Sequence, residues 1–161
     1  MAFEAAYLPP ARVGGKGGES PAHERDPFHY GTEASRRARG VEVYAALRSL
    51  GRSGLAEMIE AGCRHARRFA EGLEAGGHVV LNEVVLNQVV VTFGAAERTA
   101  RVIERIQDEG VCWCGPTHWK GQDAMRISVS CWATEAEDVE RSLESILRCA
   151  ASVPERGAAN G

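Results

Sequence analysis

Leu73-Glu74-Ala75-Gly76-Gly77-His78-Val79-Val80-Leu81 is the point at which this chain changes its period. Upstream, Leu55, Met58, Ile59, Gly62, Ala66, Phe69, Ala70 and Leu73 keep helical spacing for five turns. Downstream, His78 to Leu81 and Gln88 to Phe93 are valine-rich runs with strand character. The glycine pair between them stops the helix. A long helix that gives way to short strands sets the fold class as α+β.

The upstream helix is amphipathic. Glu57, Glu60, Arg64, Arg67, Arg68, Glu71 and Glu74 occupy its polar face, and Glu60–Arg64 and Arg67–Glu71 are spaced i, i+4. Met58 and Phe69 on the apolar stripe read as core. Ahead of it, Ser35 to Leu55 reads as a separate helix. Ser35 can cap it, Val43, Leu47 and Leu50 with Tyr44 form one face, and Gly51 and Gly54 end it. Arg36, Arg37 and Arg39 crowd its first turns, where the helix dipole disfavours cations. They are either held by carboxylates or an interface, or form a solvated basic surface.

Beyond Phe93, Thr99, Val102, Ile103 and Ile106 mark a short helix ending near Gly110. Val111 to Thr117 reads as a strand with a turn at Gly115-Pro116, and Gly121-Gln122-Asp123 as a second turn. Ala124 to Ser130 alternates as a strand. Thr134 opens the last helix, with Glu137 closing a capping box, and Val139, Leu143, Ile146 and Leu147 form its buried face. The expected architecture is a short, mainly antiparallel sheet covered by helices on one face. The expected organisation is a loop over 1–34, an interface or linker helix over 35–54, the α+β domain over 55–150 and a disordered tail over 151–161.

The 161 residues suffice for one domain with a real core, and a net charge of −3 gives no reason to expect nucleic acid. No apolar run reaches the length of a membrane span. The first residues lack the basic start and apolar stretch of a signal peptide, so the five cysteines are expected as reduced thiols of a cytoplasmic protein.

Several chemical motifs are present only in part. Gly14-Gly15-Lys16-Gly17-Gly18 lacks the Ser or Thr after lysine, and the preceding strand, that a phosphate loop requires. Gly51-Arg52-Ser53-Gly54 is not a nucleophile elbow, since Leu55 stands where the final glycine belongs. Cys112, Cys114 and His118, with Cys131, could ligate zinc, but free cysteine is also a common apolar filler, and no metal site is expected. Lys120 would serve as a Schiff-base lysine only if desolvated, and its neighbours Gly121 and Gln122 indicate a solvated turn. If Met125, Ile127 and Val129 face the core, then Arg126, Ser128 and Ser130 face the other way. An arginine fixed on a strand is a rigid fork for a carboxylate, although periodicity alone favours an exposed strand face, which the serines also suit.

Taken in order, these residues resemble the C-terminal part of the group II pyridoxal-phosphate-dependent amino-acid decarboxylases, the family of the glutamate and aromatic amino-acid decarboxylases. The resemblance runs from about Ala5 to Leu147. It rests on Ala5-Ala6-Tyr7-Leu8, on Asp26-Pro27-Phe28-His29-Tyr30 before Arg36-Arg37-Ala38-Arg39, and on the stretch from Tyr44 to Gly51. It continues through Gly54-Leu55 and the long helix to Met125-Arg126-Ile127-Ser128-Val129-Ser130 before Ala133-Thr134. It implies the small C-terminal domain of a fold-type I enzyme, homodimers, pyridoxal phosphate as cofactor and an amino acid as substrate. Arg126 matches the arginine that glutamate decarboxylases place in a Phe-Arg-Met-Val-Ile-Ser pattern to bind a substrate carboxylate. Segment 10–30 matches the mobile loop that closes over the site. By spacing, Pro27 takes the place of that loop's catalytic tyrosine, and Tyr30 is offset from it. The chain departs from the family where the cofactor is held: neither Lys16 nor Lys120 follows a histidine. The resemblance therefore implies a C-terminal fragment lacking the N-terminal cofactor domain, inactive alone, or a reading frame that starts at an internal Met. A non-catalytic α+β binding or assembly module, or the same domain of an aminotransferase or lyase, are the alternatives.

Overall fold

The computed structural model describes residues 38–155. The described residues divide between two units at Glu42 and Val43, and the description below concerns the second, apart from the first residues of α1. Its elements are α1 (Arg39–Ala75), β1 (Val79–Val80), β2 (Gln88–Thr92), α2 (Ala96–Glu109), β3 (Gly115–Trp119), β4 (Gln122–Ser128) and α3 (Ala136–Ser152). The four strands form one sheet in the order β1-β2-β4-β3, antiparallel throughout. This is the expected α+β layer.

The two helices expected before Gly76 are present and run end to end as α1 across a non-helical break at Gly51. Gly51 takes a positive φ of 62° and kinks it, while Gly54 stays helical. The apolar stripe of α1 is buried only in its last turns, at Ala66, Phe69, Ala70 and Leu73. Met58, expected in the core, is 39% exposed, and Val43, Tyr44, Leu47, Leu50 and Ile59 are exposed with it. Across the polar face, Arg68 forms a two-point pair with Glu140 of α3 at 2.6 and 2.7 Å. The helix closes on glycine as expected: Gly77 is left-handed, its N–H bonds to the Glu74 carbonyl, and the His78 N–H reaches back to Leu73.

One core joins three helices to one sheet face. Phe69 and Leu73 of α1, Val102, Ile103 and Ile106 of α2, and Val139, Leu143 and Ile146 of α3 meet Val89, Val91 and Phe93 with Met125, Ile127 and Val129. Fully burying side chains of this size contributes about 1.5–3 kcal/mol each. Close approach of α1 to α3 depends on glycine: a Cβ at Gly72 would lie 2.1 Å from Leu143 Cδ2, and one at Gly76 would lie 2.5 Å from Leu147 Cδ2.

Three local expectations are corrected. The strand expected at Val111–Thr117 lies later, at β3, and Gly115-Pro116 begins it rather than turning the chain. An edge strand tolerates a proline, whose missing N–H costs no ladder bond on the outer side. The turn before β4 is Lys120-Gly121, with φ of 47° and 85°, so the hairpin has the primed geometry that matches strand twist. Gln122 and Asp123, expected in the turn, begin β4. The capping box of α3 is Glu135 with Asp138, one residue beyond Thr134 and Glu137. The Thr134 N–H instead turns back to the Cys131 carbonyl at 3.3 Å. Past α3, Val153 is buried and its carbonyl accepts from Arg98. No helix among the described residues is long and apolar enough to cross a membrane.

Candidate functional site

The alternation of β4 puts Met125 and Ile127 in the core and leaves Arg126 and Ser128 exposed on the opposite face. Register fixes Arg126 between Val90 of β2 and Gly115 of β3. Val90 is buried at 5% exposure. Gly115 offers no side chain, and a Cβ built there would meet nothing within 4 Å. The guanidinium thus rises from an interior strand with a firm apolar neighbour on one side and open space on the other. Among the described residues Arg126 makes no hydrogen bond or ion pair. A cation anchored by a paired strand and left without a counter-charge can take a planar carboxylate through two parallel N–H donors.

Polar staples flank the β2–β4 pair. Asn82 Oδ1 accepts from the Val90 N–H at 2.7 Å, and its Nδ2 donates to the Gln88 carbonyl at 3.2 Å. Asn87 Nδ2 donates to the Val129 carbonyl and the Asn87 carbonyl accepts from the Val129 N–H, both at 2.9 Å. Asn87 continues the β2–β4 pairing beyond the regular strands, and Asn82 ties the segment after β1 to β2.

The other candidates fall elsewhere. Lys120 is exposed at the hairpin turn, its Nζ 5.7 Å from the Trp119 ring centre. His118 is also on the hairpin, with Nδ1 2.8 Å from Asp123 Oδ1. It is not brought to the cysteines: Cys112, Cys114 and Cys131 line a separate cavity between α3 and the end of β4. Among the described residues no group of three or more histidines, cysteines or carboxylates could hold a metal ion. Arg39 stands exposed at the start of α1. Tyr30, Lys16, Ser35, Arg36, Arg37 and the 1–34 segment lie outside the described residues.

Two polar clusters had no signal in the sequence. Arg98 of α2, whose side chain is 12% exposed, donates to the carbonyls of Phe93, Ala150 and Val153 and pairs with Glu155. Glu109 accepts from Ser145, Arg148 and Cys149 of α3. The bonds from Cys149 and Arg148 hold the Glu109 carboxyl below its usual range. Burial, together with that bond to Glu109, pushes the Cys149 thiol up to about 11. Both clusters join helices and neither opens toward Arg126's side of the sheet, so they serve the scaffold.

No family model matches the chain. Over 133 residues, 81% of its length, it is 30% identical to histidine decarboxylase of Drosophila melanogaster, and it spans 16% of that relative. Its fold matches that of tryptophan decarboxylase from Catharanthus roseus, solved with L-tryptophan, with a TM-score of 0.65 at 18% identity, covering 71% of this chain and 26% of that one. The Oryza sativa TDC solved with PLP and tryptamine gives 0.65 at 20% identity, over 73% of this chain and 27% of that one. The glutamate decarboxylase domain of a Vibrio parahaemolyticus diaminobutyrate-pyruvate transaminase and L-2,4-diaminobutyrate decarboxylase gives 0.59 at 18% identity, over 70% of this chain and 26% of that one. The chain thus spans about a sixth of the curated relative and about a quarter of the solved chains.

Proposed function

This chain matches the C-terminal part of the group II pyridoxal-phosphate-dependent amino-acid decarboxylases, and from that premise we propose that it is the substrate-clamping small domain of such a carboxy-lyase. The observation that carries the reading is Arg126: exposed, without a partner among the described residues, and fixed on an interior strand beside the gap at Gly115. Its role is to bind a substrate carboxylate and orient the amino acid. The cofactor's ring, when bound in such an enzyme, acts as the electron sink for the carbanion left by CO₂.

The described residues do not fit that cofactor themselves. The lysine they offer, Lys120, sits on an exposed turn and not in a desolvated pocket. In this reading an N-terminal domain, supplied as a partner or on the same polypeptide, holds pyridoxal phosphate. The 1–34 segment acts as a lid, with Tyr30 its candidate catalytic residue, and the α1 face packs in a homodimer. Alone, the chain is inactive.

Two titrations test this. With pyridoxal phosphate and borohydride reduction, peptide mapping is expected to find no stoichiometric lysine adduct; full labelling of Lys120 overturns the assignment. With a dicarboxylic amino acid, the Arg126 Nε–H resonance is expected to shift, and Arg126→Gln to abolish saturable binding. Unchanged binding in that variant removes Arg126 from the site.

A further inference from the structure

Cys112 and Cys114 are not used by the proposed clamp. They flank Trp113 ahead of β3, where the backbone bends at Val111 and Cys112 instead of joining the sheet. Both line a cavity of about 350 Å³ that also includes Ser142 of α3, Ser128 of β4 and Cys131. Cys114 is buried at 3% exposure, Cys112 is half-buried and Cys131 is exposed.

The two thiols are unequal. The Cys112 thiol is held below the ordinary thiol range, chiefly by its cavity neighbour Cys114 and also by Ser142, against burial and the nearby Glu109. The same contact and burial push Cys114 up. One sulfur is therefore half-buried and inclined to the thiolate, and its neighbour, lining the same cavity, is buried and held in the thiol form. Residues two apart cannot separate their Cα atoms by more than about 7 Å, at the upper end of the span a disulfide bridges.

We propose that Cys112 and Cys114 form a thiol–disulfide exchange site that accepts a low-molecular-weight disulfide, such as glutathione disulfide, in this cavity. The Cys112 thiolate attacks one sulfur of the incoming disulfide. That S–S bond breaks, one thiolate leaves and takes up a proton, and a mixed disulfide remains on Cys112. Cys114 then loses its proton to solvent and attacks the Cys112 sulfur. The Cys112–Cys114 bond forms and the second small thiol departs. Two cysteine thiols are oxidised and one disulfide is reduced to two thiols. Cys149 is excluded from this chemistry, because its thiol is buried and committed to Glu109.

The test incubates the whole chain with glutathione disulfide and reads intact mass and mapped peptides. Wild type is expected to lose two hydrogens, with the bridge inside the Cys112–Cys114 peptide, whatever adduct forms at exposed Cys131. Cys114→Ser is expected to retain one glutathione on Cys112, and Cys112→Ser to form neither product. A wild-type chain that stays reduced at 112–114 overturns the proposal, as does a Cys114→Ser chain with no adduct on Cys112. Limiting alkylation of native wild type needs no variant: Cys112 is expected to label ahead of Cys63 and Cys149, and equal labelling of the three counts equally against the site.

Discussion

Arg98 satisfies three carbonyls with one guanidinium, two of them at the C-terminal end of α3, where unpaired carbonyls and the helix dipole both favour a cation. Arg98→Met leaves those carbonyls without their donor in a half-buried site. It is expected to lower unfolding free energy by about 2–3 kcal/mol, the scale of hydrogen bonds to charged groups, measured by urea denaturation. Arg98→Lys is expected to recover only part of this, because a point charge cannot fork. His78, close by, stacks edge-on against Phe93 with ring centres 4.7 Å apart. Burial, then the Arg98 charge, lowers its pKa from 6.5. The folded state therefore binds this proton less readily than the unfolded chain. The sign follows: stability is complete above 6.5 and falls as pH drops toward the lowered folded value. Melting temperature is expected to fall between neutral pH and mild acid, with a shallower slope in His78→Phe. Equal slopes in the two chains would show that His78 is not the source.

At the scale of elements, the contact between α1 and α3 turns on atoms that are absent. Alanine at position 72 would ordinarily stabilise a helix by about 0.8–1 kcal/mol over glycine. Here the added methyl meets Leu143 at 2.1 Å, and overpacking of that kind costs about 1–3 kcal/mol. Gly72→Ala is expected to destabilise. Gly62→Ala, whose Cβ meets ordinary contacts at 3.4 and 3.5 Å, is expected to be neutral or stabilising. Paired thermal melts decide it, and a stabilising Gly72→Ala would mean that α1 and α3 pack less closely. This scale also separates what was legible from what was not. The alternation through Met125, Ile127 and Val129 placed Arg126 on the far face without any tertiary information, because a period of two is local. The glycine pair marked the end of α1 for the same reason, as only glycine adopts the left-handed turn readily. The strand at Val111 was misplaced because β-propensity there could not show that Cys114 turns into the core while Pro116 takes an outer edge. The burial of Met58 was misjudged because periodicity finds the apolar stripe but not how far its partner extends. The Arg98 and Glu109 clusters tie together residues 36–57 positions apart, and no spacing rule reaches that far.

For the molecule as a whole, the exposed apolar residues of α1 matter most. Val43, Tyr44, Leu47, Leu50, Met58 and Ile59 lie along one element and are each at least 39% exposed. Where exposed side chains of this kind join into an apolar patch, they mark an interaction site or a solubility liability. The chain in solution is expected to self-associate or to bind an apolar fluorescent dye, as judged by light scattering and dye emission. Leu47→Gln with Ile59→Gln is expected to reduce both signals and leave the melting temperature nearly unchanged, since neither side chain belongs to the core. A dilute, monodisperse wild-type chain that ignores the dye would count against an interface role for this face.

The sheet, in contrast, is poorly suited to recruiting another strand. One border is β1, only two residues long. The other is β3, which carries Pro116 near its start and ends in a tight hairpin. A two-residue border offers few free N–H and C=O groups to template an added strand, and a proline on the opposite border removes a donor there. Clustering of these chains would therefore proceed through helix side chains and dissolve when those are made polar. It would not grow by backbone pairing into cross-β fibrils, so a chain with so much apolar surface would form oligomers or amorphous precipitate and leave an amyloid-specific stain dark.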